Sequence, residues 1–391
     1  MSLFKVRDFW EARGADDEEF SGGSAICYQL IDGLDCLITG NLSGLLRVYH
    51  IEGLVEYRAE HLLIEQQLEQ PILQMEFGKF VSTSSELVAC ILHPRKLAIV
   101  AIKVNALGGS SQLEATLEPL YEHKLERCSY VLVKGAFGGS KIHVGERIEK
   151  TKIIGWMGRS KRFLEKGKRS KKGQNENFIC VDLLRGGELT YGRDRLECVA
   201  ADLICVQSID GVLSVFDRES HIFDRPLPGV LLPGPLAYIE QTDSFVTVTS
   251  TLVLETFRYQ VLASATLDDN TQRGVRGKRV TNEWSFTLGE MISDLQVVQG
   301  QNEQLICALG EQTMFVLKTN AELVYIRRFH FSPRCFHVYQ RDPADPFLWT
   351  MVVSQNNTVL VYEKTSLKWA AKVDDIPGVI GISRANLSFL K

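Results

Sequence analysis

Chemistry at a protein site needs particular side chains at particular spacings, and few such spacings occur in this 391-residue chain. The eight histidines stand singly, and no HExxH pair sets two of them on one helical face to hold zinc. No GxSxG places a serine on the strained strand-to-helix turn that exposes a hydrolase nucleophile. Nine cysteines are present, none in the CxxC pairs that metal and redox sites use. Cys36, Cys90, Cys180, Cys205, Cys307 and Cys335 lie in or beside apolar runs, where a thiol behaves as a small hydrophobe. They read as reduced, buried thiols of a cytosolic protein. The sequence therefore leads to no catalytic residue, no metal site, no cofactor and no small-molecule substrate.

Three segments come closer to a binding function. GAFGGSK (135–141) looks like a phosphate loop, but it lacks the GxxxxGK[ST] spacing and has no βαβ unit around it. Gly138 and Gly139 read instead as turn formers that supply φ > 0 at no steric cost. RSKRFLEKGKRSKK (159–172) holds eight basic residues and one Glu. Its Lys161, Arg162, Lys168, Arg169, Lys171 and Lys172 could meet phosphates, anionic lipid or an acidic partner, or could be a solvated loop. LPGVLLPGPLAY (227–238) is either a polyproline-type docking surface or a rigid connection, because X-Pro steps keep the chain extended.

Composition narrows the function classes. Apolar residues make up 45% and charged residues 24%, ordinary for a globular chain. A net charge of −4 argues against a chain-wide nucleic-acid footprint. No window of about 18 apolar residues is long enough for a membrane-spanning helix. The start, MSLFKVRDFW, lacks the apolar core of a secretory signal peptide.

The elements that would position any site are strands. DLICVQSIDGVLSVFD (202–217) is two β-rich runs joined by Asp210-Gly211, the pair that a type I′ hairpin favours because both central residues need φ > 0. Five further hairpins echo it. Their runs are 36–40 with 45–49, 87–92 with 97–100, 244–248 with 252–257, 304–309 with 314–317, and 349–353 with 359–362. Gly44, Gly310 and Asn356 mark turns among them. Most turn-to-turn intervals fall at about 40–60 residues, the period of four-stranded propeller blades. The nearly all-apolar first run of each pair reads as an inner strand packed on both faces. Runs between the hairpins, such as 72–77 and 294–298, read as the inner and outer strands of each blade, and 60–69 reads as a short helix or an outer strand.

The expected fold is an all-β, WD40-like seven-bladed β-propeller, with six complete blade hairpins and a partial seventh. IPGVIGIS (376–383) would be the first strand of that seventh blade. The chain then stops within a blade, which points to a piece of a longer protein, because a propeller shields its strand edges by closing. The outlying interval contains residues 141–197, with 15 Lys and Arg against 8 Asp and Glu. Removing about 55 residues would restore the period. The expected organisation is one propeller domain over 1–391, with 141–197 a basic, disordered loop insertion. The net charge of −4 places +7 in the insertion and −11 in the body.

The longest motifs are FGKFVS (77–82), LYEHKLER (120–127), DLICVQSIDGVLSVFDRES (202–220), PLPGVLLPGPLAY (226–238), DSFVTV (243–248) and RYQVLA (258–263). With MSLFKVRDFW (1–10), LGE (309–311) and LKWA (367–370), they resemble the parathyroid hormone-responsive B1 family, the ninth Bardet–Biedl syndrome protein family. The resemblance covers nearly everything except 141–197, which is either a lineage-specific loop or retained intron sequence. It implies the N-terminal propeller of a BBSome subunit. The BBSome is a coat-like complex that carries membrane proteins to and from cilia. The implied partners are other BBSome subunits, including a tetratricopeptide-repeat subunit and a second propeller subunit, and indirectly a small Arf-like GTPase and the ciliary membrane. The implied location is the cytoplasm, cilium, basal body and ciliary membrane, and no enzymatic residue is carried over. The alternative is a propeller adaptor of another complex, such as a vesicle coat or a ubiquitin-ligase receptor. A propeller enzyme or lectin would instead show converging carboxylates or a metal in its channel.

Overall fold

The computed structural model describes residues 18–29, 35–50, 58–81, 88–106, 113–139, 188–191, 194–197, 202–265, 279–301, 303–340 and 347–373. Contact clustering divides the chain into two units: Met1–Gly138 with Asp202–Lys391, and Gly139–Ala201.

The first unit is built from six four-stranded antiparallel sheets. Blade 1 is β1 (Ala25–Gln29), β2 (Asp35–Gly40), β3 (Leu45–His50) and β4 (Leu62–Gln67). Blade 2 is β5 (Gln74–Gly78), β6 (Val88–His93), β7 (Lys96–Ala106) and β8 (Leu113–Lys124). Blade 3 opens with β9 (Ser129–Gly135). The second unit intervenes, and its described residues are an antiparallel hairpin of β10 (Glu188–Tyr191) and β11 (Asp194–Glu197). Blade 3 then resumes with β12 (Leu203–Ser208), β13 (Val212–Asp217) and β14 (Ser220–Pro226). Blade 4 is β15 (Leu236–Ile239), β16 (Ser244–Val248), β17 (Val253–Arg258) and β18 (Ser285–Thr287), with one helical turn, α1 (Tyr259–Ser264), after β17. Blade 5 is β19 (Ile292–Gln299), β20 (Gln304–Gly310), β21 (Thr313–Lys318) and β22 (Leu323–Arg328). Blade 6 is β23 (Pro333–Tyr339), β24 (Trp349–Ser354), β25 (Thr358–Glu363) and β26 (Ser366–Lys372).

Among the described residues the fold is an all-β propeller of six blades, against the seven that the hairpin period suggested. A period can be extended past the last hairpin, whereas a blade exists only where strands find hydrogen-bonding neighbours. The strand expected over 376–383 lies outside the described residues. All six hairpins pair as β2–β3, β6–β7, β12–β13, β16–β17, β20–β21 and β24–β25. Each is the middle pair of its blade. The apolar first run is therefore the second strand and not the innermost one. The innermost strands are β1, β5, β9, β15, β19 and β23, whose contacts pass from each blade to the next. The segment 60–69 is chiefly β4, an outer strand.

The second strands are chiefly apolar because both faces are covered. Leu203 and Cys205 on β12 pack with Phe245 and Phe257 of blade 4. Ile204 and Val206, pointing the other way, pack with Cys90, Leu92 and Leu97 of blade 2. The same exchange joins blades 1 and 2 through Ile38 and Ile91. It joins 4 and 5 through Val246 and Ile306, and 5 and 6 through Cys307 and Val352. The core is thus a succession of blade-to-blade layers. Outer strands such as β22 and β26 are mostly exposed or half-buried.

Two glutamines bracket neighbouring inner strands. The Gln74 amide donates to the Leu132 carbonyl (2.9 Å) and accepts the Leu132 N–H (2.8 Å). Gln296 repeats the device, donating to the Phe336 carbonyl (2.9 Å) and accepting the Val338 N–H (3.0 Å).

Candidate interaction surface

Antiparallel alternation brings two kinds of connection to one end of the propeller: the turns between second and third strands, and the crossings from each outer strand to the next blade. Four of the turns share a design. Gly44, Gly211 and Leu252 donate backbone N–H to the carbonyl three residues earlier, on Asn41, Ser208 and Thr249 (3.0–3.1 Å). Each has positive φ: 90°, 77° and 62°. Asn357, in the equivalent turn of blade 6, has φ 55°. The side chains of Asn41 and Ser208 take the N–H of Leu45 (2.7 Å) and Val212 (3.1 Å).

This corrects one turn type expected from the sequence. Asp210 stays out of the left-handed region, so the Asp210-Gly211 turn is a three-residue loop closed by a left-handed glycine, and not type I′. In blade 6 Asn356 lies in the turn 355–357, as expected, and the left-handed residue of that turn is Asn357. Gly310 closes β20 without positive φ. A Cβ there would stand 2.5 Å from a Glu290 carboxylate oxygen, so close approach is its constraint.

At this end the crossing from blade 3 to blade 4 displays two adjacent leucines, Leu231 at 82% and Leu232 at 67% exposure. The display is fixed from below. Val230 is buried against Gly211, and the Ser250 hydroxyl accepts the N–H of Leu231 (2.8 Å) and of Leu232 (3.1 Å). Leu232 borders a cleft of about 660 Å³ that reaches Tyr130, Leu252, Met291 and Pro333. Tyr130 is 46% and Met291 59% exposed. Among the residues lining the cleft, Glu311 alone is charged. Beside it, one Glu290 carboxylate oxygen accepts the Gln312 N–H (3.2 Å), while the other is buried without a partner. Tyr130, Ser250 and the Glu290-Met291 pair escaped the sequence reading because they come from three segments far apart in the chain. The signal within reach was the leucine pair in a Gly/Pro-rich crossing, where no regular strand would bury it.

The opposite end holds the glycine loop. Phe137 is fully buried, with ring centroids 4.6 Å from Tyr238 and 4.8 Å from Phe245. Gly138 and Gly139 have φ 76° and 82°. The Gly138 N–H donates to an Asp243 carboxylate oxygen (2.9 Å), which also accepts the Tyr238 hydroxyl (2.8 Å). A carboxylate thus occupies the amide that a phosphate would need, and its charge would repel one. Lys161, Arg162, Lys168, Arg169, Lys171 and Lys172 lie outside the described residues. So does most of 141–197, whose described residues pair as the hairpin β10–β11.

Titratable groups inside the propeller are arranged for structure. Burial raises the pKa of the Asp294 carboxyl, against hydrogen bonds from Gln296 and the Leu295 backbone. Burial also raises that of Glu76, against nearby Lys134. Cys36, Cys90, Cys205 and Cys307 are buried. Burial pushes Cys307 up to about 12 and the half-buried Cys335 up to about 11, so neither holds a useful thiolate fraction near neutrality. Cys180 lies outside the described residues. Among the described residues no three His, Cys, Asp or Glu converge as a metal site, and no helix is long and apolar enough to cross a membrane.

Comparison with known proteins gives three findings. The PTHB1 N-terminal family profile matches residues 1–390. Protein PTHB1 of Xenopus laevis is 34% identical over 404 residues, covering 100% of this chain and 40% of its own length. The chain thus spans two-fifths of that relative. Among solved structures, BBS1N, crystallised in complex with ARL6DN, superposes with a TM-score of 0.57 at 8% identity, covering 96% of this chain and 89% of its own. The Pan2 WD40 domain of Neurospora crassa superposes at 0.52 and 10% identity, covering 93% and 83%. These two likenesses concern the fold alone.

Proposed function

The chain belongs to the PTHB1 N-terminal family, the family that its motifs resemble, and from that premise we propose that it is a non-catalytic scaffold propeller of the BBSome in ciliary membrane-protein trafficking. The family match over residues 1–390 carries the reading. The architecture supports it: side chains are spent on blade-to-blade packing, and the connections at one end form a rigid, partly apolar surface suited to protein contacts. The proposed partners are other BBSome subunits, among them a tetratricopeptide-repeat subunit and a second propeller subunit. A small Arf-like GTPase and the ciliary membrane would be engaged indirectly. BBS1N, similar in fold, was crystallised with ARL6DN, an instance of a like propeller meeting a protein partner. The proposed location is the cytoplasm and the cilium with its basal body and membrane.

Affinity purification of the tagged chain from ciliated cells tests this. Co-purification of BBSome subunits is the expected result. Cullin-type or clathrin-type partners in their place would assign the propeller to a different complex.

A further inference from the structure

The cleft bordered by Leu232 and Met291 combines features that ordinary surface lacks. Its apolar side chains come from segments far apart in sequence, among them Tyr130 from β9, Leu232 from the crossing into blade 4, and Met291 from the crossing into blade 5. The leucine crossing is fixed by Ser250 and by buried Val230, so little order must be imposed when something binds. No lysine or arginine lines the cleft. Its one charged lining residue is a carboxylate, Glu311; the neighbouring Glu290 carboxylate lies outside the lining, with one oxygen on the Gln312 N–H and the other buried. An apolar floor beside anionic groups is complementary to an apolar segment that also carries a cation.

We propose that this cleft docks a segment of a partner protein that presents two bulky apolar side chains and, next to them, a lysine or arginine facing Glu311. The apolar side chains cover Tyr130, Leu232 and Met291, and the cation meets the Glu311 carboxylate, with the Glu290 charge just behind it. The proposal rests on the reading that the propeller acts through protein contacts, and it adds where and with what chemistry. An anionic lipid surface is disfavoured by the same carboxylates.

The test starts with selection of a randomised displayed peptide library on the propeller chain, followed by fluorescence anisotropy with the enriched peptide. The expected consensus is two bulky apolar residues adjoining Lys or Arg. Leu232→Asp and Met291→Asp should each weaken binding about tenfold or more, as at a central interface anchor. Glu311→Lys should weaken it several-fold, and added salt should shrink that difference. Because Leu232 and Met291 are exposed, the melting temperature should not change. Four results overturn the proposal: no enrichment, an acidic consensus, binding indifferent to both Asp variants, or a self-association or anionic-vesicle binding that Leu232→Asp abolishes in place of peptide binding. The purification described above is independent. If the unaltered chain recovers no BBSome subunit while the peptide still binds at the cleft, the scaffold reading fails and the docking site stands.

Discussion

At the scale of single residues, backbone sign and burial decide most outcomes. Gly138 and Gly139 both have positive φ, yet they differ in surroundings. A Cβ on Gly138 would stand 2.6 Å from Tyr259, whereas one on Gly139 meets nothing within 4 Å. Both Gly→Ala changes incur the left-handed strain of roughly 1 kcal/mol, and only Gly138→Ala adds a clash. Gly138→Ala and Gly138→Arg should therefore lower the denaturation midpoint more than Gly139→Ala; equal losses would mean that the Tyr259 contact is immaterial. Asp294 gives a pH prediction. Burial holds its pKa above the ordinary value, so the unfolded chain ionises first. The associated stability is fully present below the ordinary aspartate pKa and is lost as pH rises through the folded value. Asp294→Asn should flatten the fall in stability as pH rises above the ordinary aspartate pKa of about 4, read from urea midpoints across a pH series. A fall as steep as in the unaltered chain would place its cause elsewhere.

At the scale of elements, the blades are variations on one unit. In blades 2, 3 and 5 a cysteine on the second strand faces the residue just before a bulge between third and outer strands: Cys90 faces Ile99, Cys205 faces Val215 and Cys307 faces Val316. Ile38 facing Val48, and Met351 facing Val361, hold that place in blades 1 and 6. The position wants a modest apolar side chain, and no redox property explains the thiols. Between elements, the Gln296 bracket ties β19 to β23 through two backbone partners. Gln296→Leu would leave a carbonyl and an N–H of β23 unmet, a loss of about 1–3 kcal/mol. Gln299, whose amide donates to the neighbouring Gly300 carbonyl at the surface, should tolerate the same change within about 0.5 kcal/mol. Chemical denaturation of both variants separates these outcomes.

At the scale of the molecule, stability is distributed over blade-to-blade layers. The basic segment enters between the inner and second strands of blade 3, and Leu203 pairs directly with Gly135, so the flanks of the segment emerge side by side. Deleting residues 141–200 should therefore leave the blade intact and the melting temperature within a few degrees, about the effect of 1 kcal/mol. A loss of many degrees by calorimetry would mean that the segment packs on a blade.

The sequence by itself determined the six central hairpins, because an apolar strand, a tight turn and a second strand lie within about 15 consecutive residues and are specified by local pattern and turn chemistry. It also carried the family, through long motifs in the same strands and crossings. The number of blades, the left-handed role of Leu252 and Asn357, and the place of each hairpin within its blade were decided by strand neighbours distant in sequence. The cleft is the clearest case. Tyr130, Leu232 and Met291 are unremarkable in their own segments, and the surface exists because successive crossings are brought to one end of the propeller. Neither residue type nor spacing encodes that proximity; it follows from packing the second strands of adjoining blades against one another.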